Sequence, residues 1–398
     1  MMDKLPLAGV RILAIEQFGA GPFATLNLAD LGAEVIKVED PTTGGEVSRF
    51  VPPYSNDGDG LYFQSWNRNK KSVTLNLRQN GAHEVLHDLV RNVDVVFNNL
   101  RGDQSRRLGL NFAALSFVNP KIVCCSLNAF GSTGPRASEP GYDYIIQAMT
   151  GFMSMTGPPT EMPVACGVSI IDHAAGFAAA MAMVSALYAA EKSGIGRDIE
   201  VSLLDTAYSM LTYLGIWNLN RDFTPIRYVG SAHQTLVPVQ TFATSDGFIT
   251  IFCGKEHFWR ELCKAFEDPE LATDPRFGKF SARFQNRDAV IEAIQTHFLR
   301  KTTSEWVACL QGKVPCGPVR SLKDALSQPG LAESGTIIEV DHPDFGTMRE
   351  VNTPVRYEGQ RSQHLCAPRV GENTDFVLRE YLHYPEEKIE QLRTNCVI

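Results

Sequence analysis

Apolar residues between Val10 and Leu127 fall into short runs that alternate between strand-like and helix-like spacing. Val10-Arg11-Ile12-Leu13-Ala14-Ile15 has the length and content of a buried strand. Gly19-Ala20-Gly21-Pro22 interrupts it, and Phe23 to Leu31 predicts a helix. Pro22 suits a first helical turn, where its missing N–H costs nothing, and Gly32 suits the C-terminus. Ala33-Glu34-Val35-Ile36-Lys37-Val38-Glu39 then predicts a second strand, which completes a βαβ unit. The pattern recurs as a strand from Ser72 to Leu77, a helix from Gly81 to Arg91 and a strand from Val93 to Phe97. A short helix from Phe112 to Phe117 and a strand from Lys121 to Leu127 follow. Such alternation predicts an α/β fold with a mainly parallel sheet, whose ligands lie outside the carboxyl ends of the strands.

Ala174 to Ala190 is an apolar run of 17 residues, short for a membrane span and bracketed by Asp172-His173 and Glu191-Lys192. It predicts a buried core helix. After Gly194-Ile195-Gly196, Asp198 to Leu203 leads into a further helix ending near Leu214, and the texture changes at Asn220-Arg221-Asp222. Strands at Val237 to Thr241 and Phe248 to Phe252, then helices at 256–266, 287–299 and 303–311, predict a smaller α+β domain. The tail returns to strand (Met348 to Tyr357) and helix (Thr374 to Leu382). The expected boundaries are 1–224, 225–330 and 331–398.

The 398 residues carry a net charge of -8 and no basic run, which argues against nucleic acid and anionic membranes as partners. The 9 cysteines are scattered and make no metal-binding pair with each other or with histidine, so neither a metal nor a disulfide framework is expected. Reduced thiols and the absence of a leader-like apolar core point to a cytoplasmic location.

Several loops then have two readings each. Gly19-Ala20-Gly21-Pro22 between strand and helix is either an anion or oxyanion cradle or a turn that needs glycine. Ala24 occupies the third glycine position, so the nicotinamide fingerprint is incomplete. Asn67-Arg68-Asn69-Lys70-Lys71-Ser72 is a solvated loop or a phosphate contact, as are Asn99-Leu100-Arg101-Gly102 and Arg106-Arg107. Tyr142 in Gly141-Tyr142-Asp143-Tyr144 is a packed ring or a donor to an oxyanion. Asp172 in Gly167-Val168-Ser169-Ile170-Ile171-Asp172 is a helix cap or a nucleophile toward an activated acyl group.

Taken in order, these segments resemble the type III CoA-transferase family, which includes formyl-CoA and carnitine CoA-transferases and the α-methylacyl-CoA racemases. Phe130-Gly131-Ser132-Thr133-Gly134-Pro135, Gly230, His233, Asp246-Gly247, Pro368 and Gly371-Glu372-Asn373-Thr374 extend the resemblance over nearly the whole chain. The resemblance implies a Rossmann-like large domain built from both chain ends, a small inserted domain and two interlocked chains. It implies Asp172 as catalytic residue, with Gly19, Ala20 and Tyr142 holding the oxyanion or positioning the substrate. It implies coenzyme A as carried substrate, held by Phe18, Lys70, Lys71, Val73, Asn99, Leu100, Arg101 and Arg107. No metal and no nucleoside triphosphate are needed. Asp40 stands where some members place a basic residue, and Gly102 where many have proline.

The implied reaction moves CoA from an acyl-CoA to a carboxylic acid through mixed anhydrides and an aspartyl-CoA thioester on Asp172. The rival activity is racemisation of a 2-methylacyl-CoA, with His173 as a second base. Racemases of this family have histidine where this chain has Tyr142, and a tyrosine of ordinary pKa near 10 is a poor base. A CoA-binding protein without activity is the third class. Arg227 or His233 would suit the second carboxylate of a dicarboxylic acid such as succinate.

Overall fold

The computed structural model describes residues 5–56, 59–357 and 364–398. The chain divides into two units: Met1–Thr150, Gly167–Thr212 and Gly330–Ile398 form one, and Gly151–Cys166 with Tyr213–Pro329 form the other.

The first unit is built on a sheet of six strands: β1 (Arg11–Ile15), β2 (Glu34–Glu39), β3 (Lys70–Thr74), β4 (Val95–Asn98), β5 (Val123–Asn128) and β6 (Arg197–Ser202). All neighbours pair in parallel, in the order β3-β2-β1-β4-β5-β6. This is the doubly wound order, whose direction reverses between β1 and β4. The strands read as continuous apolar runs because helices cover both faces. One core joins Leu13, Ile36, Val73 and Val96 to Leu86 and Leu89 of the helix Ala82–Val90, and to Val377, Ile389 and Val397 near the C-terminus. That terminal segment also covers the free edge of β3. The Ser72 N–H donates to Asn373 Oδ1 (3.0 Å), the Thr74 N–H to Thr374 Oγ1 (3.0 Å), and the Asn373 N–H to the Ser72 carbonyl (2.9 Å). An edge paired in this way is closed to other strands.

Two helices of this unit matter most for function. α1 (Ala20–Asp30) follows β1, and α2 (Ile170–Ser193) contains the long apolar run. They pack so closely that a Cβ on Gly176 would lie 2.9 Å from the Ala20 carbonyl oxygen. α2 differs from a wholly buried core helix. Ala175, Ala179, Met183, Ala186 and Ala190 are buried, whereas Phe177 (42% exposed), Met181 (68%), Val184 (39%) and Tyr188 (67%) are open to solvent.

Four other expectations need correction. β3 begins at Lys70 and ends at Thr74, earlier than the expected Ser72 to Leu77. A strand at Ile337–His342 pairs with Gly346–Val351 and was not foreseen, and the second of these ends well short of Tyr357. Residues 213–224 group with the second unit rather than with the expected 1–224, because Trp217 packs on Tyr213 and Phe223, and Tyr213 stacks on His233. Residues 151–166 group there too.

The second unit has an antiparallel sheet of Val239–Ala243, Phe248–Phe252 and Cys316–Pro318. Its core is aromatic: Phe266, Phe298 and Trp306 meet edge to face, and the buried Trp306 indole N–H donates to the Phe298 carbonyl (2.8 Å).

Candidate active site

The reversal between β1 and β4 opens a crevice at the carboxyl ends of both strands, where doubly wound proteins bind ligands. Two loops meet there and hold each other. The Gln17 N–H donates to Asn99 Oδ1 (2.8 Å), and Asn99 Nδ2 donates to the Gln17 carbonyl (2.7 Å). Asn99 packs against Gly21, where a Cβ would lie 2.6 Å from its Cγ. Phe18 takes a φ of 59°, a left-handed conformation that is strained for a bulky side chain. Gly19 precedes α1, whose first N–H groups have no partner inside the helix.

Asp172 lies in the first turn of α2, whose N-cap is Ser169. It is therefore not a capping residue. The cap bonds come from Asp143, which opens the helix Asp143–Met149: its Oδ2 accepts the N–H groups of Ile171 (2.7 Å) and Asp172 (3.0 Å), and its other oxygen takes the Gln147 amide. The Asp172 carboxylate lies against Gly19, where a Cβ would come 3.0 Å from Oδ2. Burial and the neighbouring Asp143 charge push its pKa up to about 7, although a helix N-terminus favours the anion. A desolvated carboxylate titrating near neutrality is the kind of group that reaction sites hold.

A pocket of about 100 Å³ joins these parts, lined by Phe18, Gly19, Ala20, Asn99, Tyr142 and Asp172 among others, with Leu100 and Arg101. Tyr142 stands edge-on to Phe18, with centroids 5.8 Å apart. His173 is not among the lining residues. Its Nδ1 meets the Ser169 carbonyl (2.6 Å), and its ring packs against Phe23 and Trp66.

A larger cavity of about 510 Å³ lies beyond, over the carboxyl ends of β1 and β2 and the segment after β3. Leu75, Leu77, Leu100 and Leu108 supply apolar walls, and Glu16, Glu39, Asp40, Glu46 and Arg78 the charged ones. Lys70, Lys71 and Val73 do not line either cavity. All three belong to β3 rather than to a loop, Lys70 and Lys71 at its amino end, and ligands collect at the other end. Val73 is buried in the sheet. Lys70 Nζ is buried among Glu16 Oε1 (2.7 Å), the Pro22 carbonyl (3.0 Å) and Asn67 Oδ1 (3.0 Å), which use its three donors. Lys71 is bound to Glu34 and Tyr381. Arg107 is exposed and lines neither cavity.

Buried charges underlie the loop. Lys37 Nζ donates to the Glu16 carbonyl (3.0 Å) and lies 3.5 Å from Glu46 Oε2. Arg49 grips Glu39 through two nitrogens (2.8 and 2.7 Å). Burial pushes Glu46 above the ordinary carboxylate range despite Lys37. Burial acts the same way on Glu16, but Lys70 and Lys37 outweigh it and keep that carboxyl below its usual value.

In the second unit, His233 Nδ1 accepts the N–H groups of Thr235 (3.1 Å) and Leu236 (3.0 Å), and its Nε2 meets the Tyr213 hydroxyl (3.1 Å). Burial and Arg287 lower its pKa. Both of its ring nitrogens are engaged within the unit. Arg227 has one buried guanidinium nitrogen without a partner. Among the described residues, no group of three or more His, Cys, Asp or Glu could hold a metal ion.

A family model described as CoA-transferase family III matches residues 7–374. The chain belongs to this family. This transferase is 35% identical over 395 residues to a succinyl-CoA:glutarate CoA-transferase of Mus musculus, covering 99% of this chain and 90% of that one. It is 35% identical to an acetyl-CoA:oxalate CoA-transferase of Acetobacter aceti, covering 97% and 98%. Its fold matches a CAIB/BAIF family protein from Brucella suis with a TM-score of 0.82 at 31% identity, covering 95% of this chain and all of that one. It is an enzyme that uses CoA thioesters, which removes the inactive CoA-binding protein from the readings.

Proposed function

We propose that this transferase moves CoA between dicarboxylic acids, with Asp172 as the nucleophile. The observation that carries the reading is a buried carboxylate, relieved of capping by Asp143, that faces a pocket at the reversal of the sheet. The ionised Asp172 attacks the donor thioester carbonyl, the C–S bond breaks and CoA leaves as thiolate. The thiolate then attacks Cγ of the mixed anhydride, releasing the donor acid and leaving an aspartyl-CoA thioester. The acceptor carboxylate attacks that thioester and releases the thiolate, which attacks the acceptor's acyl carbon and frees Asp172. Each step exchanges one activated acyl bond for another, so no further energy source is needed. The N–H groups at the start of α1, beside Gly19 and Ala20, and the Tyr142 hydroxyl are the donors for the oxyanions.

The nucleotide of CoA is assigned to the cavity of about 510 Å³, with Arg78 toward a phosphate. Arg78→Ala is expected to raise KM for acyl-CoA about tenfold, as the loss of one charge-assisted bond does, with kcat nearly unchanged. Steady-state kinetics checks this. The succinyl-CoA and glutarate named for the mouse relative support dicarboxylic substrates. Racemisation fares worse, because His173 is held outside the pocket. Incubation with succinyl-CoA and a panel of acids in deuterated water separates the two. Glutarate or another dicarboxylate as best acceptor fits the proposal. Preference for branched monocarboxylates, or α-deuterium exchange without transfer, rejects it.

We also propose that the chain works as an interlocked homodimer in the cytoplasm. Phe177, Met181, Val184 and Tyr188 recur at helical spacing on the open face of α2, an apolar stripe suited to a partner. The buried Cys124, Cys125, Cys253 and Cys263 are free thiols, as a reducing compartment would keep them.

A further inference from the structure

Phe18 holds its left-handed φ of 59° without glycine's freedom, so something must secure it. Its N–H donates to Glu46 Oε2 (3.1 Å). Glu46 is itself fixed on several sides. Its backbone N–H donates to Glu39 Oε2 (2.9 Å), Ser48 Oγ donates to its second carboxylate oxygen, and Lys37 Nζ lies 3.5 Å away. Glu39 in turn is locked by Arg49 and by Ser72 Oγ (2.6 Å). The loop is therefore tied to β2 and β3 through two carboxylates in series, Glu46 and Glu39. Glu46 also belongs to the wall of the cavity of about 510 Å³, whereas Phe18 and Gly19 belong to the wall of the pocket that holds Asp172.

We propose that Glu46 is a positioning residue for CoA transfer: by holding the Phe18 N–H it sets the backbone that presses Gly19 against the Asp172 carboxylate, and it links the larger cavity to the reacting pocket. The inference rests on Asp172 being the reacting group. Glu46 touches no reacting atom; it stands in the wall of the larger cavity, and its removal acts chiefly by misaligning the loop. A shift of about 1 Å in such a loop costs on the order of 10²-fold in turnover.

The test measures kcat and KM of overall CoA transfer for Glu46→Ala, Glu46→Gln and Phe18→Gly. Glu46→Ala is expected to lower kcat by about 10²-fold, with KM for acyl-CoA nearly unchanged. Glu46→Gln keeps an oxygen for the Phe18 N–H, and Lys37 keeps Glu16 as its counter-charge, so this variant should retain most of the turnover. Glycine adopts the left-handed conformation freely, so in the Phe18→Gly background the cost of Glu46→Ala should shrink. Unchanged kcat in Glu46→Ala, a rise of KM matching the fall of kcat, or the same cost in both backgrounds would overturn the proposal. If Glu46→Ala does not fold, Glu46→Gln decides: retained turnover supports the role and lost turnover contradicts it. Hydroxylamine trapping on the wild-type chain reports separately on Asp172, so failure of the nucleophile assignment and failure of the Glu46 role are told apart.

Discussion

Asp172→Asn should abolish CoA transfer and stabilise the protein. Replacing a covalent nucleophile costs on the order of 10⁴-fold or more in turnover. The stability effect follows from the same environment. Burial and Asp143 hold the Asp172 carboxyl near 7 in the folded chain, against 3.8 as the ordinary value. Below about pH 4 the group is protonated in both folded and unfolded chains, and it contributes nothing. Between about 4 and 7 the unfolded chain ionises first, so stability falls as pH rises. Above 7 the full penalty applies, about 4 kcal/mol for a shift of this size. The neutral amide of the Asp172→Asn variant would carry no such penalty, so the gain in denaturant melts should be large at pH 8 and small at pH 5. A loss of stability that is equal at both pH values would contradict this account of the site. Wild-type kcat/KM should rise with pH through about 7 as the nucleophile ionises.

Lys70→Met should act on the fold rather than on substrate affinity. Lys70 fills its three donors with Glu16, Pro22 and Asn67 in the interior, and its removal leaves Glu16 with Lys37 Nζ at 3.8 Å as its remaining salt bridge. Breaking a buried pair by removing one partner costs about 3–5 kcal/mol. Glu16 also accepts from Thr25 Oγ1 on α1 (2.9 and 2.8 Å), so the damage spreads to the middle of that helix. Chemical denaturation measures the loss. A normally stable variant with only a higher KM for acyl-CoA would show instead that Lys70 meets a phosphate.

The contrast between Lys70 and Arg78 marks where sequence reasoning stops. Strand and helix order were legible because apolar runs, Gly19-Ala20-Gly21-Pro22 and Gly32 carry local signals. The start of β3 was misplaced because Asn69-Lys70-Lys71 looks like a solvated loop, and a lysine enters a strand only when a distant carboxylate receives it. That carboxylate, Glu16, lies 54 residues away in sequence. Arg78 was passed over because its meaning depends on lying beyond the carboxyl end of a strand whose limits were shifted. Asp172 was legible as a candidate, and the resemblance implied it as the catalytic residue, but its own segment left cap and nucleophile open. The cap is Asp143, which opens one helix and caps another across 28 and 29 residues of sequence, a pairing no local signal marks. Glu46 gave no signal, since its role is a bond to the backbone of Phe18. The half-open face of α2 is likewise invisible in a run that is apolar all round.

The most direct measurement is intact mass spectrometry of the wild-type chain after incubation with succinyl-CoA and other acyl-CoAs. Hydroxylamine trapping and peptide mapping follow. The account predicts a CoA adduct that hydroxylamine converts to a hydroxamate on Asp172, absent in Asp172→Asn. Active transfer with no adduct on Asp172, or with the adduct on another residue, would contradict it.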